Sequence, residues 1–190
     1  MSNFNVDISY LEFIKKGCYN VVYKYKNYVF KYCNNPRSLE HEILSYLNDK
    51  GLNIPKIVHI SYNITTNYKY LIIMDYISGE NNNFKTLSLK KNILLQLIDI
   101  ISSLHSHGII YGDTLSDNFI VTKDDKVFLI DFDKSFYKDN VPTHFSQKIK
   151  ERPITTDIFA LELLMVDLLR GYTIRDLLEL SDLRKVVEYY

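Results

Sequence analysis

The sequence predicts an α+β fold, in which a β-rich amino-terminal part with one helix precedes a mainly helical carboxy-terminal part. Two observations lead to this prediction. Short runs rich in β-branched and aromatic residues, separated by polar turns, fill most of the chain before Ile77. Beyond it, apolar residues recur at helical spacing or dominate in the segments 88–106 and 158–169. A chain of 190 residues is expected to form one domain, here with lobes at 1–77 and 78–190.

The elements of the first part follow from local patterns. Runs of β-branched and aromatic residues predict four strands, over 21–25, 28–33, 54–62 and 68–76. Ser38 is expected to cap a helix that continues to about Asp49, because four apolar side chains in that segment share one face. The polar segment 78–83 reads most clearly as a linker, so the lobe boundary is placed there.

The second part is predicted to be built around buried helices. Segment 88–106 carries apolar residues at helical spacing, and 158–169 is almost wholly apolar, so both are expected to form core helices. Two short strands are predicted at 119–121 and 127–130 around a polar turn, and one more helix is predicted over 174–190.

Composition narrows the classes of function. The formal net charge is zero and the sequence pI is near 7, which argues against nucleic acid or an anionic membrane as the main partner. The sequence contains no apolar run of membrane-spanning length and no signal-peptide pattern, so an intracellular, cytoplasmic location is expected. Cys18 and Cys33 lack metal-ligand spacing and are expected to be reduced thiols.

Three polar residues in the middle of the chain suggest a reaction. Asp113 and Asn118 lie on one loop after an apolar run, and Asp131 follows the apolar segment 127–130. Carboxylate and amide oxygens are suitable ligands for Mg²⁺. Phosphoryl transfer requires positioning and charge neutralisation more than covalent chemistry. The three residues therefore predict a site that holds magnesium-nucleotide and directs a hydroxyl at its terminal phosphate.

With these residues the chain resembles the protein-kinase-like superfamily, from about Phe13 to Leu169. Tyr111-Gly112-Asp113 with Asn118 resembles the catalytic loop, and Asp131-Phe132-Asp133 resembles the magnesium loop. The resemblance implies a two-lobed kinase-like fold, ATP as co-substrate and Mg²⁺ as cofactor. It implies that Asp113 accepts or orients the hydroxyl proton and that Asn118 and Asp131 bind the metal.

The resemblance also implies a set of nucleotide-binding residues. Lys31 resembles the strand lysine that pairs with the phosphates, and Glu40 resembles its ion-pair partner on a helix. Asp157 resembles the aspartate that braces the catalytic loop, a structural role. The segment that resembles the adenine-binding hinge contains Met74, Asp75, Tyr76 and Ile77.

The hairpin that resembles the glycine-rich loop is degraded. Only Gly17 of the three expected glycines is present, and Lys15 and Asn20 stand at the other two positions. Asn tolerates left-handed backbone geometry better than most residues, so Asn20 is expected to form the turn. Val22 is expected to cover the adenine.

Further departures from the usual kinase motifs make the chain resemble the small atypical kinases. Gly112 replaces the usual catalytic-loop arginine, Leu115 stands where typical Ser/Thr kinases carry a lysine, and Asp133 replaces the glycine of the magnesium loop. The segment after Asp157 is expected to be too short for a full peptide-binding lobe. Two groups come closest in these traits: the lipopolysaccharide-core heptose kinases and the compact kinase of the KEOPS complex.

The predicted function is an ATP- and magnesium-dependent kinase acting on a hydroxyl acceptor, either a sugar of the lipopolysaccharide-core type or a protein Ser/Thr. The alternative is a pseudokinase that acts as a nucleotide-binding or scaffolding module. Lys31 lies only nine positions before Glu40, so a protein partner is expected to seat the helix that carries Glu40. No nucleic-acid partner is expected.

Overall fold

The computed structural model describes residues 8–80, 87–169, 184–185 and 187–188. The chain divides into two compact units, the first made of Met1–Arg37 with Pro55–Ile77 and the second of Ser38–Ile54 with Ser78–Tyr190. The assignment of 1–77 and 78–190 as functional lobes stays a prediction.

The first unit is built on a five-stranded antiparallel sheet with strand order β1-β2-β3-β5-β4. Its strands are β1 (Glu12–Lys16), β2 (Asn20–Tyr25), β3 (Tyr28–Cys33), β4 (Ile57–Tyr62) and β5 (Tyr70–Asp75). The four predicted strands are therefore confirmed, the last two with shorter bounds.

Hydrogen bonding and burial explain the order of this sheet. The β2–β3 hairpin turns at Lys26, whose φ of 54° lies in the left-handed region common in tight turns. Phe30 and Ile72, on the central strands β3 and β5, are buried. All five residues of β1 are exposed, as expected for a strand at the edge of a sheet.

The second unit contains helices α1 (Glu40–Leu47), α2 (Leu87–Ser106), α3 (Gln147–Glu151) and α4 (Thr155–Leu169) among the described residues. The predicted helices over 88–106 and 158–169 are confirmed. Helix α1 is shorter than predicted, and its N-cap is Leu39 rather than Ser38. The Ser38 hydroxyl still accepts a hydrogen bond from the Glu40 N–H (3.3 Å). Most of the helix predicted over 174–190 lies outside the described residues.

Two small antiparallel ladders hold the loops of this unit. Strand β6 (Ile109–Ile110) pairs with β9 (Phe136–Tyr137), and β7 (Phe119–Val121) pairs with β8 (Val127–Leu129). The strands predicted at 119–121 and 127–130 are thus confirmed. Within the described ranges, the structure contains no helix of the length and apolar character that a membrane crossing requires.

Helix α2 supplies much of the core of the second unit. Its buried side chains are Ile93, Leu94, Leu97, Ile98, Ile100, Ile101 and Leu104. They recur at three- and four-residue spacing, which places them on one side of the helix. This buried face supports the loops described below.

The substitution Leu97→Ala tests this role of α2. We expect the free energy of unfolding to fall by about 2–5 kcal/mol, because a completely buried leucine leaves a cavity. Urea unfolding measures the change. Leu95→Ala, at a partly exposed position of the same helix, is the matched control and should cost clearly less. Equal losses in both variants would contradict the central place of Leu97.

Candidate active site

The carboxylate of Asp157 holds the loop that follows β6. Its Oδ1 accepts a hydrogen bond from the Gly112 N–H (2.7 Å), and its Oδ2 accepts one from the Tyr111 N–H (2.9 Å). The same Oδ2 lies 2.9 Å from Nε2 of His105 at the end of α2. Asp157 is completely buried, so these contacts replace the water that its charge has lost. The structural role predicted for Asp157 is confirmed.

Asp113 and Asn118 are joined directly on this loop. The Asn118 Nδ2 donates to the Asp113 backbone oxygen (2.9 Å) and to the Asp113 Oδ2 (2.8 Å). Asn118 closes a single 3₁₀ turn over Ser116–Asn118, in which its N–H donates to the Leu115 carbonyl (3.0 Å). Because the amide nitrogen is engaged with Asp113, the amide oxygen is the atom left to serve as a ligand.

Asp131 leaves the β7–β8 hairpin at the end where Asn118 enters it. Phe119 pairs with Leu129, and the Ile130 N–H extends the ladder by donating to the Asn118 carbonyl (2.8 Å). Backbone pairing therefore brings the residues on either side of the hairpin together, although thirteen positions separate Asn118 from Asp131 in the sequence.

The backbone of Asp131 has an unusual conformation that two buried side chains hold. Its φ is 65°, in the left-handed region that costs a non-glycine residue about 1–2 kcal/mol. The Tyr111 hydroxyl donates to the Ile130 carbonyl, just before Asp131. The Phe132 N–H, just after it, donates to Oε1 of Glu40 (3.1 Å). Both peptide groups next to Asp131 are thus fixed, which allows the strained conformation to persist.

The hydroxyl of Tyr111 is held in its protonated form. Burial raises its pKa well above the ordinary value of 10, and the nearby carboxylates of Asp131, Asp113, Asp157 and Glu40 raise it further. The Tyr111 ring also packs edge-on against Phe132, with centroids 5.2 Å apart. Tyr111 therefore works as a hydrogen-bond donor that ties the two loops together.

Sequence reasoning did not identify Lys134. Its Nζ lies 2.7 Å from Oδ1 of Asp113 and forms an ion pair with it. The only signal in the sequence was the apolar Leu115, which left the catalytic loop without a cation at a position where typical Ser/Thr kinases have one. Nothing in the local pattern indicated that residue 134 would supply the charge instead.

The oxygen atoms of this site suit Mg²⁺. The Asn118 amide oxygen and the Asp131 carboxylate are hard ligands, and Mg²⁺ in nucleotide sites is commonly bound by one or two carboxylates together with substrate phosphates. Over the part of the chain that the structure describes, no group of three or more His, Cys, Asp or Glu side chains is placed to hold a metal. The residues present thus fit a metal that arrives with phosphates.

In the first unit, Gly17 and Asn20 shape the turn between β1 and β2. The Gly17 N–H donates to the Asn20 carbonyl (2.9 Å). A Cβ at Gly17 would lie 2.7 Å from Oδ1 of Asn20, so the Asn20 side chain occupies the space that this glycine leaves open. Asn20 takes part in this turn as expected but without a left-handed backbone, because the residue begins β2 and pairs with Cys33 in ordinary strand register.

The other nucleotide-binding candidates of the first unit lie on its sheet or directly after it. Lys31 on β3 is buried and lies opposite Val22 on β2. Met74 and Asp75 end β5, and Ile77 follows two positions later. Glu40 belongs to α1 of the second unit, so its predicted pairing with Lys31 stays a prediction.

The sheet of the first unit and the two braced loops of the second define an atypical protein-kinase-like protein. A family model described as the RIO domain matches residues 12–147, most of the chain, and the chain belongs to this family. The expected fold, an α+β kinase-like fold of small size, is thereby confirmed.

Three curated proteins with kinase or KEOPS-subunit names are similar in sequence to this chain. A probable serine/threonine-protein kinase of Dictyostelium discoideum is 26% identical over 145 residues, covering 66% of this chain and 31% of the relative. A serine/threonine-protein kinase of Arabidopsis thaliana is 22% identical over 144 residues, with the same coverage. The EKC/KEOPS complex subunit BUD32 of Enterocytozoon bieneusi is 34% identical over 113 residues, covering 52% of this chain and 51% of the relative.

The chain spans about a third of the length of the two serine/threonine-protein kinases and about half that of the BUD32 subunit. The BUD32 match supports the predicted likeness to the compact KEOPS kinase. The predicted likeness to heptose kinases stays a prediction.

Gly112 offers a first test of the loop geometry. Its φ is 79°, and an added Cβ would lie 2.8 Å from the Lys134 carbonyl oxygen. Gly108 has a similar φ of 72°, but an added Cβ meets nothing within 4 Å. Backbone strain should lower the free energy of unfolding by about 1 kcal/mol in both alanine variants. In Gly112→Ala the free energy should fall further, because the added Cβ collides with the Lys134 carbonyl oxygen. Urea unfolding of both variants measures the difference, and equal losses would show that the loops are not in close contact.

Tyr111→Phe tests the hydroxyl that joins the loops. We expect the free energy of unfolding to fall by about 1–3 kcal/mol, because the partly buried Ile130 carbonyl loses its donor. Urea unfolding at neutral pH measures this loss. Tyr19→Phe, at an exposed position, is the control and should change little.

The same variant carries a pH prediction. The Tyr111 pKa in the folded protein is raised above its value near 10 in the unfolded chain. Its stabilising effect is therefore complete below pH 10 and is lost as the pH rises through the folded-state pKa. The stability of Tyr111→Phe should fall less steeply above pH 10 than that of the wild type. Parallel slopes would contradict the raised pKa.

Proposed function

We propose that this protein transfers the γ-phosphate of ATP to a hydroxyl acceptor with the help of Mg²⁺. The observation that carries the proposal is the joined arrangement of Asp113 and Asn118, with Asp131 at the same end of the β7–β8 hairpin. Rigid positioning of these groups is what phosphoryl transfer demands of a protein. The membership of the RIO-domain family supports it.

The proposed step assigns a role to each residue. The acceptor oxygen attacks the γ-phosphorus and forms a new P–O bond, while its proton passes to Asp113. The bond between the γ-phosphorus and the β,γ-bridging oxygen breaks, and ADP leaves with the electron pair. Asn118 and Asp131 would hold Mg²⁺, which neutralises charge on the phosphates when bound. Asn118 also keeps the Asp113 carboxylate oriented through its 2.8 Å hydrogen bond.

We propose the remaining nucleotide-binding roles for residues that the resemblance identifies. Lys31 would pair with the phosphates, Gly17 and Asn20 would form the phosphate-side turn, and Val22 and Met74 would contact adenine. The Asp75 N–H donates to the Lys56 carbonyl, and the Tyr76 N–H donates to the Asn27 carbonyl, so both of these donors are already engaged. We therefore assign the adenine-binding N–H to Ile77 and the accepting carbonyl to Asp75. Glu40 would pair with Lys31 in addition to holding the Phe132 N–H.

The proposed acceptor is a serine or threonine hydroxyl of a protein. Two curated relatives carry serine/threonine-protein kinase in their names, which favours this acceptor over a saccharide. A sugar of the lipopolysaccharide-core type is the second candidate, suggested by the apolar Leu115 in the catalytic loop. A screen with casein-type protein acceptors and with heptose-containing saccharides would distinguish the two.

A protein partner is part of the proposal. The BUD32 relative is named as a subunit of a complex. Helix α1 carries Glu40, whose carboxylate holds the Phe132 N–H, so a partner that fixes α1 would also fix the magnesium loop. We propose that such a partner binds this protein and raises its activity.

Asp131→Ala tests the nucleotide site. A ligand that binds only the folded state and is present at a concentration of 100 times its Kd adds about 2.7 kcal/mol to the free energy of unfolding. We expect ATP with Mg²⁺ to raise the melting temperature of the wild type and to have little effect on Asp131→Ala, since the variant lacks a metal ligand. Thermal unfolding with and without Mg²⁺ measures both. Asp139→Ala, at an exposed position, should behave as the wild type, and an equal magnesium-dependent shift in Asp131→Ala would sink the assignment.

Asp113→Asn separates transfer from binding. The variant should keep magnesium-dependent ATP binding and lose phosphoryl transfer by about 10²–10⁴-fold, because an amide cannot accept the hydroxyl proton. ADP release and autophosphorylation measure transfer. Should the wild type bind ATP and transfer nothing, even with candidate acceptors, the chain is a nucleotide-binding module. The loss of two of three hairpin glycines is the observation that favours this alternative.

A further inference from the structure

Lys134 and Asn118 each contact a different oxygen of the Asp113 carboxylate. The Lys134 Nζ lies 2.7 Å from Oδ1, and the Asn118 Nδ2 lies 2.8 Å from Oδ2. Each carboxylate oxygen has two lone pairs, so both oxygens keep a position at which a substrate hydroxyl can bind. The ion pair therefore leaves Asp113 able to accept a hydrogen bond from a substrate hydroxyl.

The backbone around Lys134 is fixed, so this ion pair follows from the fold. The Ser135 N–H donates to the Phe132 carbonyl (3.0 Å), and the Ser135 hydroxyl donates to the Tyr111 carbonyl (2.9 Å). The Lys134 carbonyl lies so close to Gly112 that a side chain at that position would collide with it. Residue 134 is thus anchored beside the catalytic loop on both sides.

Folding stability does not account for the pair. The Lys134 side chain is 63% exposed, and ion pairs with such exposure add little to the stability of a protein. The exposed Lys134 side chain thus lies next to Asp113, whose side chain is only 17% exposed. One N–H of the ammonium is directed at Asp113, and two others are available to a ligand.

Phosphoryl transfer creates a need for a cation at this place. The acceptor hydroxyl has to contact Asp113 and the γ-phosphorus together, which brings two negatively charged groups close to each other. The catalytic loop itself, from Tyr111 to Asn118, contains no Lys or Arg. Leu115 is half exposed and apolar, so it cannot offset this repulsion.

We propose that Lys134 is a further catalytic residue, which contacts the transferring phosphoryl group while it remains paired with Asp113. Its ammonium offsets the charge of the Asp113 carboxylate and donates to an oxygen of the phosphoryl group. The cation that the catalytic loop lacks is thus supplied from the magnesium loop. This inference rests on the proposed function.

Binding of magnesium–ADP with aluminium fluoride, which mimics the transferring phosphoryl group, tests the inference without turnover. Affinities for ADP alone and for ADP with aluminium fluoride are measured by calorimetry on wild type, Lys134→Ala, Lys134→Arg and Lys138→Ala. We expect Lys134→Ala to bind ADP normally and to lose roughly 10- to 100-fold in affinity for the fluoride complex, the effect of one charge-assisted hydrogen bond. Lys134→Arg should keep most of the affinity. Lys138→Ala, an exposed lysine four positions on, should match the wild type.

The outcomes separate this inference from the proposed function. Unchanged fluoride affinity in Lys134→Ala would overturn the role of Lys134 and leave the kinase assignment intact. Tighter binding in that variant would also overturn it, because the ion pair would then obstruct Asp113. If the wild type binds ADP but gains nothing from aluminium fluoride, or binds no nucleotide, the proposed transfer function fails and the inference fails with it.

Discussion

The buried carboxylate of Asp157 is the interaction on which the site depends. A buried charge is costly unless several donors surround it, and here two backbone N–H groups and a histidine do so. The N–H groups belong to Tyr111 and Gly112, the two residues directly before Asp113. The carboxylate thus sets the path of the backbone from which Asp113 projects. Removing it would leave the buried Tyr111 N–H and the partly buried Gly112 N–H without an acceptor. The position of Asp113 therefore depends on Asp157, a residue that has no proposed part in the reaction.

The second constraint is the left-handed backbone of Asp131. A conformation that costs about 1–2 kcal/mol persists only where its surroundings determine it. Tyr111 and Glu40 hold the two peptide groups beside it, and the raised pKa of Tyr111 keeps the hydroxyl a donor throughout the physiological range. Because Tyr111 belongs to the loop that Asp157 braces, the orientation of Asp131 depends on the same buried carboxylate through one intermediate residue.

The features that could be predicted from the sequence are those that local residue patterns determine. Strand and helix periodicity predicted the elements, and the order of Asp113, Asn118 and Asp131, each next to an apolar run, led to the proposed reaction class. Lys134 could not be predicted, since its contact with Asp113 arises only when the magnesium loop folds against Gly112. The left-handed geometry considered for Asn20 is absent for a related reason. Its tolerance of left-handed geometry is a property of the residue alone, whereas its pairing with Cys33 is a property of the sheet.

Gly112 connects these observations. At the position of the arginine in the usual protein-kinase catalytic loop, this chain has a glycine, and the carbonyl of Lys134 takes up the space beside it. An arginine there would place a cation in the catalytic loop and would push the magnesium loop away. The glycine lets the two loops approach, so that the side chain of Lys134 reaches the carboxylate of Asp113. The position of Lys134 therefore depends on Gly112, whereas the cation that it is proposed to supply is the one missing at Leu115.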